Sequence, residues 1–278
     1  MTHVELMEVG VGLGALVGVL LALTGAGGGI LAVPLLVFGL HLGVAQSAPI
    51  GLIAVGLAAA IGASLGLREG VVRYRAAALI GGVGMVLAPV GVMAAQRIPN
   101  APLTVAFSFV LAYTAWRMYL RSTGRLAAAS EERAVLPCVR DARDGRLVWT
   151  RPCAQALAAT GAVSGALSGL LGVGGGFVIV PALTKYTDLS ARSIVATSLA
   201  VIALVSVGGV GAAAVHGTFD WSIAMPFAAG AVVALLAGRM IAARVAGPLL
   251  QRCFAVFSAI VAVLLFARGM GYIGFSSH

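Results

Sequence analysis

Two segments lying 147 residues apart repeat one pattern of glycine and proline inside long apolar runs. Residues 14–36 read GALVGVLLALTGAGGGILAVPLL and residues 161–183 read GAVSGALSGLLGVGGGFVIVPAL, identical at 12 of 23 positions. Gly25/Gly172, Gly27/Gly174, Gly28/Gly175, Gly29/Gly176 and Pro34/Pro181 coincide, and the same offset matches Gly70 with Gly217, Gly91 with Gly238, Met93 with Met240 and Arg97 with Arg244. Two apolar helices alike only by chance would not also align their glycines and prolines. The sequence reads as an internal duplication, with residues 1–120 and 153–278 as the two repeats.

The runs that hold the motif belong in a bilayer. Mean hydropathy is +1.06, and 10% of residues are charged where a soluble domain carries about 25%. Apolar stretches cover about 4–40, 45–67, 76–96, 101–120, 153–184, 193–215, 221–243 and 249–270. With spans of about 20 residues, this predicts an all-α polytopic membrane protein. Between the repeats, Arg121–Pro152 holds seven arginines and four acids and reads as a linker. The N-terminal MTHVELMEVG has acids and no basic region, so the run after it is expected to be a retained first span.

The formal charge of +9 is topological and calls for no nucleic acid, because the cations sit where loops between spans must be. With every apolar stretch as one crossing and the linker cytoplasmic, 12 of 18 cations lie inside. With the first run of each half broken at its glycines, into about 5–23 then 28–40 and 153–171 then 177–185, each half has five segments. Only Arg97 and Arg268 then lie outside, leaving 16 inside. Five plus five is an odd count per half, so the repeats are expected to be inverted. The second segment of each half is too short to span alone and reads as a half-helix in a hairpin.

Paired short, glycine-interrupted segments in corresponding halves point to a transporter binding site. Irregular backbone at membrane depth is tolerated only where protein or a wet cavity satisfies it. Gly27, Gly28 and Gly29, with Gly174, Gly175 and Gly176, leave the first amides of each half-helix unshielded by a Cβ, and a helix N-terminus carries partial positive charge that suits an oxyanion. A polar opening follows each half-helix, AQSAPIGL at 45–52 and ARSIVATSL at 191–199. Gln46, Ser47, Arg192, Ser193, Thr197 and Ser198 are candidate donors to an anion. Ser47 and Ser193 read equally as N-caps, Thr197 and Ser198 as hydroxyls bonded back one turn, and Arg192 as an interfacial anchor. Gly14, Gly18, Gly161 and Gly165 read as small residues at helix contacts.

Other chemistries find little support. All nine acids fall at span ends or in loops, leaving no intramembrane carboxylate for a cation or proton relay. Cys138, Cys153 and Cys253 and the four histidines are scattered without metal-ligand spacing, so neither a metal nor a redox centre is expected. GAGGGI lacks the last glycine of a dinucleotide fingerprint, and no cofactor is expected. Trp116, Tyr113, Tyr119, Trp149, Trp221 and Tyr272 fit an interfacial belt, and no catalytic grouping recurs in the apolar runs.

The doubled motif, the polar-opened helix after each copy and the Arg-rich middle loop resemble the sulfite exporter TauE/SafE family of membrane permeases, over essentially the whole chain. The resemblance implies an inner-membrane carrier for sulfite, sulfoacetate or other organosulfonates, along with related organic anions. Its site would comprise the two GGG segments and the hydroxyls of the following helices, worked by alternating access. Pro49, Ile50 and Gly51 align here with Val195, Ala196 and Thr197, so the second repeat is expected to supply more side-chain contacts. The alternatives are an anion channel, or a membrane-embedded enzyme or assembly factor. A homodimer is compatible with a glycine-rich bundle.

Overall fold

The computed structural model describes residues 3–25, 28–122, 138, 149–215, 220–245 and 248–275. Gly27 and nearly all of the linker lie outside the described residues. The first half is built from α1 (His3–Thr24), a 3-10 turn (Gly28–Leu31) running into α2 (Ala32–Gly39), α3 (Val44–Arg68), α4 (Tyr74–Arg97) and α5 (Asn100–Ser122). The second follows the same order with α6 (Arg151–Leu171), α7 (Gly176–Tyr186), α8 (Ala191–Val215), α9 (Trp221–Val245) and α10 (Pro248–Phe275). Eight of these are long and apolar enough to cross a membrane, and the two short apolar helices follow the glycine breaks. The protein is an all-α polytopic membrane protein.

Local chemistry explains the helix boundaries. Thr150 Oγ1 accepts from the Cys153 amide at the head of α6, where Pro152 occupies a first-turn position that needs no donor. At the end of α3, Gly70 takes a left-handed φ of 68° and its amide reaches the Leu67 carbonyl. Ile98, extended, ends α4 just before Pro99.

Packing relies on small residues, because lipid tails leave little hydrophobic drive between helices. A Cβ on Gly14 or Gly18 of α1 would strike the carbonyls of Phe227 and Ala231 in α9, and one on Gly161, Gly165 or Gly169 of α6 would strike those of Ile80, Gly84 and Ala88 in α4. The small-residue spacing predicts such approaches, and they correspond under the 147-residue offset. Outside, Val86, Val207, Val233 and Met240 stand 63–82% exposed, as a lipid-facing surface requires.

The same contacts fix helix directions. α1 runs parallel to α9 (Gly10 with Pro226, Gly18 with Ala231), and α9 parallel to α3 (Leu235 with Gly62, Arg239 with Glu69). α3 is antiparallel to α8 (Gly56 with Ser206, Gly66 with Ala196), α8 is parallel to α4 (Leu204 with Gly81, Gly208 with Met85), and α4 is parallel to α6. It follows that α1 and α6 point in opposite directions. One end of the bundle gathers Arg68, Arg73, Arg75, Arg151, Arg192, Arg239 and Arg252, whereas Arg97 and Arg268 belong to the other.

One expectation needs correction. Cys138 and Cys153, read from sequence as unrelated, form a disulfide with a Cα–Cα separation of 5.0 Å. The Cys138 amide also donates to the Tyr186 carbonyl, so this linker residue is tied to the head of α6 and the tail of α7. Fifteen residues of separation carry no signal for such a pairing, because the returning hairpin α6–α7 creates the proximity.

Candidate functional site

The two glycine breaks meet at the middle of the bundle. In the first, Gly25 has a φ of 75°, and Thr24 closes the turn: its Oγ1 donates to the Leu20 carbonyl (2.6 Å) and accepts from the Gly28 amide (2.8 Å). In the second, the position matching Thr24 is Leu171, so no hydroxyl is available. Gly172, Gly174 and Gly175 instead all take left-handed φ of 68–72°, which a side chain would strain. Gly175 is the N-cap of α7 and makes no side-chain capping bond, while its carbonyl accepts from Ser164 Oγ at 3.1 Å. The first half-helix thus has a capped amide and the second an uncapped N-terminus.

Contacts between the breaks are reciprocal. Gly25 packs against Val195 of α8, and Gly172 against Ala48 of α3. Gly29 faces the Val173 carbonyl and Val55, and Gly174 faces Val55 and Ile202. Ala48/Val195 and Val55/Ile202 are matched pairs at the 147-residue offset. The alignment of the two polar openings therefore needs correction by one residue: the packing sets Pro49, Ile50 and Gly51 opposite Ala196, Thr197 and Ser198. Similar local letters, AQS and ARS, hid the register that the packing keeps.

The side chains predicted around the glycines divide between the two ends. Gln46 and Ser47 stand in the first turn of α3, where Gly43 is the N-cap. Gln46 is exposed, while Ser47 Oγ is buried with no hydrogen-bond partner. On α8, at the basic end, Ser193 Oγ donates to the Val71 carbonyl (2.7 Å) and Thr197 Oγ1 accepts from the Arg73 amide (3.0 Å). Ser198 Oγ bonds back to the Val195 carbonyl (2.8 Å). Arg192, 72% exposed, pairs with Glu69 at 3.0 Å, and Arg239 pairs with the other oxygen of that carboxylate at 2.7 Å. Arg192, Ser193 and Thr197 hold the end of α3 and the loop to α4, whereas Ser198 bonds within α8, and neither Ser47 nor Ser193 caps its helix with its hydroxyl.

By sequence Arg117 is one of the cations near span ends. It lines a cavity of about 60 Å³ between α1, α5, α7 and α10, together with Thr24, Thr114, Gly176, Phe177 and Pro181. A larger space of about 490 Å³ lies between α5 and α10, walled mainly by apolar and aromatic groups such as Phe109, Trp116 and Phe266. No group of three or more metal-ligating side chains occurs among the described residues.

Comparison with known proteins gives a consistent result. The family model described as "Sulfite exporter TauE/SafE" matches residues 10–265. A "Probable membrane transporter protein" of Xylella fastidiosa strain 9a5c is 31% identical over 270 residues, covering 95% of this chain and 97% of that one. Its namesake from strain Temecula1 is 29% identical over 272 residues with the same coverage. No solved structure matches the chain.

Proposed function

We propose, from the premise that this chain belongs to the sulfite exporter TauE/SafE family, that it carries small sulfur-containing or organic anions such as sulfite, sulfoacetate or other organosulfonates across the inner membrane. That it is a multi-pass membrane transporter and not an enzyme follows from the family and its relatives. Substrate class and mechanism are our reading. The observation that carries it is the meeting of two glycine-broken half-helices at mid-bundle, one of them uncapped. An oxyanion there would meet unshielded amides and a favourable helix-end dipole.

We read residues 1–120 and 153–278 as inverted repeats and residues 121–152 as their cytoplasmic linker. Opposed α1 and α6, and the gathering of cations at one end, support this arrangement. The mechanism is alternating access: the halves rock about the crossed breaks, and the anion site opens to one side at a time. The glycine segments, including Gly27, form the backbone floor of that site, and Ser47 supplies a hydroxyl. Arg192, Ser193 and Thr197 hold the end of α3 and the loop to α4, and Ser198 bonds within α8. A channel would use the same helix ends but would show flux without saturation or counterflow.

Ligand-dependent stability tests the reading. At ten times its Kd, a substrate stabilises the folded state by about 1.4 kcal/mol. Sulfite and sulfoacetate should raise the unfolding temperature of the detergent-purified protein, and choline should not. Equal effects of all three would reject the substrate class.

A further inference from the structure

We infer that Arg117 binds the oxyanion headgroup of the transported substrate at the mouth that opens toward the basic end. This deepens the carrier reading and rests on it. Arg117 stands five residues before the end of α5, about 7.5 Å inside the helix terminus at 1.5 Å per residue. Its Nε is buried and makes no hydrogen bond. A guanidinium is a permanent cation, and a buried donor left without a partner is expensive. Among the described residues no carboxylate lines the cavity that Arg117 faces. Glu69, the acid that serves other arginines, is held by Arg192 and Arg239. The described residues thus supply Arg117 with no counter-charge, and the partner we assign to it is an anion from outside the chain.

The other walls suit such a guest. Gly176 opens α7 with no side-chain cap and no Cβ to obstruct an approaching oxygen. Thr24 and Thr114 also line the space, but their hydroxyl protons go to the Leu20 and Leu111 carbonyls, which leaves Arg117 and the head of α7 as the donors to a guest. At roughly 15 Å³ for each water-sized sphere, the space of about 60 Å³ takes a small headgroup of one central atom and three oxygens. Nε and a terminal nitrogen of Arg117 offer the two parallel donors that a sulfite or sulfonate can accept.

The repeat locates the charge. The α5/α10 contacts keep the 147-residue offset: Gly269 on Val105 corresponds to Arg252 on the Ser122 carbonyl. At that offset Arg117, Thr114 and Thr24 become Leu264, Val261 and Leu171. The polar lining residues thus have apolar counterparts in the other repeat. Arg68/Val215 and Arg73/Asp220 show the same once-only charge at that offset, as inverted repeats with their cations gathered at one end require. The repeat therefore fixes the side on which the charge lies, and the buried Nε without a hydrogen bond carries the assignment.

The test is equilibrium binding of sulfite and of methanesulfonate to the full-length protein in detergent, with neutral dimethyl sulfone as the control. Arg117→Gln should weaken both anions about 10- to 100-fold, as for loss of a charge-assisted hydrogen bond. Arg117→Lys should recover part of the affinity, because it restores charge without the fork. Val180→Phe, which fills the cavity and keeps Arg117, should weaken binding as well and guards against a misfolded Arg117→Gln. Dimethyl sulfone should bind neither the native protein nor any variant measurably. Native affinity in Arg117→Gln, with sulfite bound by the native protein, would overturn the assignment of Arg117 alone. Failure of the native protein to bind either anion would overturn the carrier reading and this assignment with it.

Discussion

Replacing Gly175 by alanine puts the central crossing under a defined load. Gly175 has a φ of 68°, and a Cβ there would strike Ser164 Oγ and stand 2.7 Å from the Ser164 carbonyl oxygen. The left-handed conformation costs an L-residue about 1–2 kcal/mol, and overpacking adds about 1–3 kcal/mol. The sum, roughly 2–5 kcal/mol, corresponds to an unfolding temperature lower by roughly 5–15 °C. Gly82→Ala is the matched control, since a Cβ on that α4 glycine meets nothing within 4 Å. Adding Ser164→Ala to Gly175→Ala removes the hydroxyl collision while leaving the carbonyl and the φ, and so should recover part of the loss. The assay is thermal unfolding followed by size exclusion in detergent, with transport measured on the same preparations. Gly175→Ala should lose stability and transport, Gly82→Ala neither. An unfolding temperature within a degree of the native protein for Gly175→Ala would refute the packing argument.

Other perturbations separate the parts of the account. In a cysteine-free background, Arg68→Cys should label from the cytoplasmic side and Val215→Cys from the opposite side; labelling of both from one side would reject the inverted arrangement. Ser47→Ala removes a buried hydroxyl that makes no hydrogen bond, so it should leave stability unchanged or slightly higher while raising KM for the anion, as judged by melting and uptake. The Cys138–Cys153 bridge closes a 15-residue separation, worth about 3 kcal/mol in the chain-entropy account. A reductant should lower the melting temperature of the oxidised native protein and leave the Cys138→Ser/Cys153→Ser variant unmoved. Arg192→Ala removes one arm of an exposed pair and should cost no more than about 1 kcal/mol, with thermal unfolding as the measure.

The helices and their breaks were legible because hydrocarbon enforces them. Runs of apolar residues interrupted by glycine place breaks after Thr24 and Leu171 with little freedom, and the structure sets them there. Helix contacts at Gly14, Gly18, Gly161 and Gly165 were legible for a related reason, since small residues at four-residue spacing have few other uses in a membrane helix. Side-chain roles depended on partners far away in sequence. Ser193 bonds to Val71 and Thr197 receives Arg73, across 122 and 124 residues, and no local pattern announces either. By sequence Arg117 is one more cation near a span end; that no acid among the described residues shares its cavity emerges once α1, α5, α7 and α10 surround it. The disulfide was hidden in the same way, because it needs α7 to turn back along α6.

Counterflow in proteoliposomes tests the carrier mechanism most directly. Vesicles loaded with unlabelled sulfite, sulfoacetate, acetate or sulfate are diluted into labelled sulfite, and entry of label is followed. An alternating-access carrier for sulfur oxyanions predicts saturable, transient accumulation of label above equilibrium when the lumen holds sulfite or sulfoacetate, with weaker accumulation for poorer substrates. Label that enters without saturation and never exceeds equilibrium, whatever the lumen contains, would contradict it and assign the crossed half-helices to a channel.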